Sequence, residues 1–168
     1  MHIATGKWRG EGLNKFQAVV TALRRAQPGS IDGGDKPAAL AISCDVADRE
    51  TLQEIFRAAG WRLTIADTVS IGLATQRKHP VPIILFDRRL PEGDWRKSVS
   101  ALAGLAGNPW VILLSDHCDQ NLWDDLTAMG GSDILRTPLN ATMATRAIKS
   151  GWLVWRHLKQ LRRATRSR

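Results

Sequence analysis

The chain is predicted to be an α/β protein, with a five-stranded, mostly parallel sheet carrying helices on both faces. Three observations carry that prediction. Five short apolar runs alternate with five stretches of helical periodicity. Glycines stand where two of those helices would stop, at Gly60 and at Gly130-Gly131. Polar residues fall at or just past three strand ends, Asp45, Asp87 and Ser115, where sites form in sheets of this kind.

The elements follow in order. "AALAIS" (38–43) is the first strand. "DRETLQEIFRAAG" is an amphipathic helix with Leu52, Ile55, Phe56 and Ala59 on one face. "RLTIAD" (62–67) is the second strand, with a helix from about Ser70 to Arg77. "VPIILFD" (81–87) ends on Asp87. After the turn "RRLPEGD", a helix spans Trp95 to Leu105. "PWVILLS" (109–115) is the fourth strand, and "QNLWDDLTAMGG" the fourth helix. "DILRTPL" gives the fifth strand, and a long helix starts near Asn140.

The 168 residues divide into three parts: an N-terminal extension and linker over 1–36, a globular unit over 37–150, and a basic helical extension over 151–168. In the first, "GLNKFQAVVTALRRAQ" has helical spacing and "PGSIDGGDKP" reads as a linker. Charge is distributed accordingly. Residues 1–36 hold six Lys/Arg against three Asp/Glu, and residues 37–133 hold nine against thirteen. Residues 134–168 hold nine basic residues and no acidic one, so the net charge of +8 belongs to the tail. Two cysteines, Cys44 and Cys118, form neither a disulfide framework nor a metal spacing and read as reduced thiols, Cys44 as a small half-buried residue. The start of the chain lacks the apolar stretch of a secretory signal, and no run is long enough to span a bilayer. A cytoplasmic location is the expectation.

The ordered landmarks "RETLQEIFRAAGW", "FDRRLPEGDW", "ILLSDHC" and "GGSDILRTPL" resemble the receiver domain of bacterial response regulators, the CheY-like, flavodoxin-like fold. The resemblance spans residues 38–150. In that family an acidic pair and a strand-three aspartate bind Mg²⁺, and the aspartate takes phosphate from a histidine kinase. A Ser/Thr and a Lys then hold the phosphoryl oxygens. Carried over by position, Asp87 matches the phosphoacceptor and Ser115 the hydroxyl. The acidic pair falls on Ser43 and Cys44, with Asp45 as the neighbouring carboxylate, so Asp45 and Asp87 are the remaining Mg²⁺ candidates. The lysine position holds Thr137, after Arg136, and the aromatic switch position holds Ile134. A hydroxyl and a thiol are poor substitutes for hard carboxylate ligands. Each preorganised charge or donor lost removes ~2–4 kcal/mol of stabilisation from a transferring phosphoryl group.

The resemblance therefore implies a degenerate receiver of a two-component phosphorelay. It would be a stand-alone regulator acting through protein–protein contact rather than an enzyme. The chain offers no Gly-rich phosphate loop or triad spacing. Its expected partners are a histidine kinase or a downstream effector, and a second copy of itself. The expected interaction face combines the fourth helix, fifth strand and fifth helix, through Trp123, Ile134, Trp152, Trp155 and Leu158. The alternative is a nucleic-acid-associated factor that uses the basic residues of 146–168 against phosphates, without room for a helix-turn-helix.

Overall fold

The computed structural model describes residues 36–166. The helix and linker expected before Lys36 lie outside these residues. The strands are β1 (Ala38–Ile42), β2 (Arg62–Ala66), β3 (Ile83–Asp87), β4 (Trp110–Ser115) and β5 (Asp133–Arg136). The helices are α1 (Val46–Ala59), α2 (Val69–Lys78), α3 (Trp95–Ala103), α4 (Gln120–Ala128) and α5 (Ala141–Arg166). The strands form one sheet in the order β2-β1-β3-β4-β5, and every pairing is parallel. The predicted βα alternation and fold class are those observed.

Burial explains which runs became which strands. Every residue of β1 and of β3 is buried, because helices cover both faces of the central strands. The edge strand β2 instead alternates between exposed and half-buried positions as far as Ile65, and only Ala66 at its end is buried. One sheet face packs Leu40, Ile42, Ile84, Phe86 and Leu113 against Val69, Leu102 and Leu122, from α2, α3 and α4. The other packs Ala41, Leu85 and Ile112 against Leu52, Phe56 and Ile148, from α1 and α5. Each fully buried Leu, Ile or Phe stabilises by roughly 1.5–3 kcal/mol.

The ends of the elements follow local chemistry. Asp45, Thr68, Asp94 and Asp119 each cap a helix, accepting from a backbone N–H of its first turn. Gly60 closes α1 with φ 66°, a left-handed conformation that favours glycine. All five strands are shorter than expected, β1, β2 and β4 by one residue each and β3 and β5 by more. β3 begins at Ile83 rather than Val81, and β5 stops at Arg136, before Thr137 and Pro138. In both places a proline, which has no N–H for the ladder, marks the limit.

The fifth helix outruns the sheet. Its 26 residues extend ~39 Å, against ~13 Å for the four of β5. It runs through residue 150 without interruption and passes the amino ends of the strands, the end opposite Asp87. Gly151 permits this: a Cβ there would stand 2.5 Å from Cδ1 of Trp110 at the start of β4. Further along, the Trp155 indole N–H donates to the Gly107 carbonyl at 3.0 Å.

Candidate functional site at the carboxyl end of the sheet

Strand parity brings the first two side chains together. Ser43 follows Ala41 by two residues and Asp87 follows Leu85 by two, on adjacent strands, so both turn toward α1. Both are fully buried. The Ser43 hydroxyl donates to Asp87 Oδ2 at 2.9 Å.

The rest of the Asp87 carboxylate is taken by Arg89. Its backbone N–H and Nε donate to Oδ1 at 2.9 and 3.0 Å, and Nη2 donates to Oδ2 at 3.0 Å. Four donors thus meet a group with about four lone-pair sites. The same guanidinium reaches α1, where Nη2 lies 2.7 Å from Asp48 Oδ2 and Nη1 3.4 Å from Asp45 Oδ2. The hydrogen bond to Asp87, aided by that carboxylate's charge and by Asp48, raises the Arg89 pKa above its ordinary value against the cost of burial.

Asp48 is itself buried and does two jobs. Its Oδ2 faces Arg89, while Oδ1 accepts the Leu139 amide at 3.0 Å, in the connection from β5 to α5. It occupies the third helical position after the Asp45 cap, whose Oδ1 accepts the Asp48 amide at 2.8 Å. An acid at that position often reaches back to the cap's own amide. Here Ser43 Oγ accepts the Asp45 amide at 3.2 Å, and Asp48 is left for Arg89 and Leu139. The Ser43 carbonyl is held in turn by Arg49, which also pairs with Asp67 beyond β2.

Neither a protein-family model nor a curated protein matches this sequence. Solved structures do match in fold. The signal receiver domain of an HD domain-containing protein from Pseudomonas fluorescens Pf-5 superposes with a TM-score of 0.70 at 15% identity, over 79% of this chain and 98% of its own. A CheY-like response regulator receiver domain from Methanospirillum hungatei JF-1 gives 0.67 at 19% identity, over 73% and 98%. The receiver domain of sensor histidine kinase PA1611 from Pseudomonas aeruginosa PAO1, with magnesium coordinated in its active-site cleft, gives 0.61 at 17%, over 70% and 98%. The fold is that of a CheY-like receiver domain.

On this receiver fold the sequence-derived positions divide. Asp87, Ser43 and Asp45 converge as described. Ser115 is fully buried, and its Oγ accepts the His117 amide at 3.4 Å. Thr137 donates its amide to the Ser115 carbonyl at 2.9 Å, and its buried Oγ1 has no hydrogen-bond partner. Cys44 is exposed, which corrects the half-buried reading: it turns away from the pocket that Ser43 enters. Arg136 is likewise exposed, and its Nη2 donates to the Asp116 carbonyl at 3.4 Å.

The expected interaction face is less open than its residues suggest. Trp152 is only 8% exposed and packs in the α1/α5 core, which removes it from any free surface. The Arg156 guanidinium covers its ring at 4.6 Å. Trp155 is half-buried, with Lys159 Nζ 4.6 Å from its ring centroid. Trp123, Ile134 and Leu158 are also half-buried, and Ile134 packs against the opposite core. Sequence reading overlooked Arg89 and Asp48. The signals available were the arginine two residues beyond Asp87 and the D-x-x-D spacing of Asp45 and Asp48.

Among the described residues, no helix is long and apolar enough to cross a membrane.

Proposed function

We propose that the chain is a receiver-like signalling module of a two-component system, working as a stand-alone, degenerate regulator through contact with another protein. The observation that carries this reading is the closed Asp87 carboxylate, buried at the end of β3 and met by four donors from Ser43 and Arg89. Asp87 holds the acceptor position, with Ser115 and Thr137 at the phosphoryl-contact positions. A carboxylate attacks phosphorus through a free lone pair, and freeing one here breaks a charge-assisted hydrogen bond. Thr137 supplies no positive charge where a receiver would present a lysine. The module is therefore a binding protein rather than an enzyme. Its partner is a histidine kinase, a downstream effector or a second copy, met through α4, β5 and α5 by the half-buried Trp123, Ile134, Trp155 and Leu158.

Intact mass after incubation with acetyl phosphate and Mg²⁺ tests the chemistry. The expected result is an unmodified chain. An adduct that disappears in Asp87→Asn would make this an active phosphoreceiver instead. In the native host, Asp87→Asn is expected to keep the signalling output and Leu158→Glu to lose it. The reverse pattern would overturn the contact-based reading.

A further inference from the structure

Three carboxylates, those of Asp45, Asp48 and Asp87, converge on one cationic side chain. Arg89 spans all three, with its fork on Asp87, Nη2 shared with Asp48 and Nη1 turned to Asp45. We infer that Arg89 is the resident counter-cation of this pocket, standing where a receiver holds its divalent ion, so that Arg89 and Mg²⁺ exclude one another. The inference deepens the receiver reading above and rests on it for the location of the metal position.

The donor set favours the guanidinium. Mg²⁺ requires close to octahedral oxygen coordination at ~2.0–2.1 Å. Each Asp87 oxygen already accepts two hydrogen bonds, so neither presents a free edge to an ion. The positions of the family's acidic pair hold a neutral hydroxyl, which donates to Asp87, and an exposed thiol. Among the described residues, no group of three or more His, Cys, Asp or Glu side chains is arranged to hold a metal ion. A planar fork, by contrast, matches a carboxylate two-on-two and uses its remaining edge on a second acid.

A tethered cation has two consequences that a soluble ion lacks. Its occupancy does not depend on metal concentration, so neither chelators nor added Mg²⁺ should alter the site. It also joins elements: Arg89 links β3 to α1, and Asp48 passes the link to the Leu139 amide before α5. The same side chain that closes Asp87 therefore fixes the connection leading into the expected contact face.

Thermal unfolding of the full chain, with no phosphodonor present, tests this. The native protein is expected to show one midpoint in EDTA and in millimolar Mg²⁺. Arg89→Ala is expected to unfold several degrees lower in EDTA and to recover part of that loss with Mg²⁺, beyond the effect of NaCl at matched ionic strength. A saturable Mg²⁺ response in the native chain would overturn the inference, as would an Arg89→Ala protein as stable as the native one. Should Arg89→Ala fail to fold, the ¹⁵N resonance of the native Arg89 Nε–H decides. Slow exchange that is indifferent to Mg²⁺ supports residency, whereas rapid exchange with solvent sinks it. A negative acetyl-phosphate result bears only on the receiver chemistry, and a metal response in the native chain bears only on Arg89.

Discussion

Arg89 holds Asp87 by two points, with Nε and Nη2 each 3.0 Å from a different oxygen of the carboxylate. The energetics of the pair are lopsided. Asp87 is fully buried and Asp48 nearly so, while the Arg89 side chain is 39% exposed. Removing the arginine strands buried negative charge, whereas neutralising one acid leaves the guanidinium with its others. Arg89→Ala is expected to cost ~1–3 kcal/mol, discounted for the exposure of the arginine. Asp87→Asn should cost distinctly less. Urea denaturation of the two variants checks the order, and equal costs would show that the guanidinium is not shared.

Asp48 serves a charge with one oxygen and a backbone amide with the other. Asp48→Asn retains an oxygen that can accept the Leu139 N–H, and Asp48→Ala does not. The alanine variant should therefore be less stable than the asparagine variant by about 1–2 kcal/mol, the cost of leaving a buried donor unmade. Hydrogen exchange at the Leu139 amide should quicken in Asp48→Ala and stay close to native in Asp48→Asn. Equal exchange in both would mean that Asp48 does not anchor the β5–α5 connection.

The fold could be read from the sequence because its signals are local. Runs such as "IILFD" and "VILLS" are continuous because helices cover both faces of those strands, and Gly60 supplies the stop that α1 needs. Asp87 was legible for the same reason, as the polar end of an apolar run. Arg89 and Asp48 were not. Arg89 lies in a turn, where no periodicity fixes the direction of a side chain. Asp48 in a first helical turn looks like an acid placed for the helix dipole. Their meeting depends on three connections folding to one point, beyond the reach of any sequence window. The tryptophans of α5 misled in the opposite way. Trp152 reads from the sequence as part of a contact face, but Gly151 beside it lets the helix close on Trp110, and Trp152 is buried.

That close approach makes Gly151 a packing residue. The nearest atoms to an added Cβ are Cδ1, Nε1 and Cγ of the Trp110 indole, at 2.5, 2.6 and 3.2 Å. The half-buried ring is rigid and packs against the α1/α5 core, which leaves it little freedom to retreat. Gly151→Ala, which would stabilise an ordinary exposed helix, is expected to destabilise this protein by ~1–3 kcal/mol through overpacking. Denaturation followed by tryptophan fluorescence reads both the loss and the displaced indole. A more stable Gly151→Ala protein would show that α5 lies further from β4.

Asp133, at the start of β5, sets a dependence on pH. Burial pushes its pKa from an ordinary 3.8 up to about 6, against the opposing pull of its hydrogen bond from the Ile134 amide. The folded chain thus holds this proton more tightly than the unfolded chain does. Below about pH 4 both states are protonated and the residue is neutral in its effect. Between about pH 4 and 6 the unfolded state loses its proton first, so this group lowers stability as pH rises, and the loss levels off above 6. Its full size is on the order of 1–3 kcal/mol. Asp133→Asn removes the titration, so the variant should gain on the native protein across that interval and keep the advantage at neutral pH. Urea midpoints of both proteins from pH 4 to 8 test this. Parallel curves would show that Asp133 is as well solvated in the folded chain as in the unfolded one.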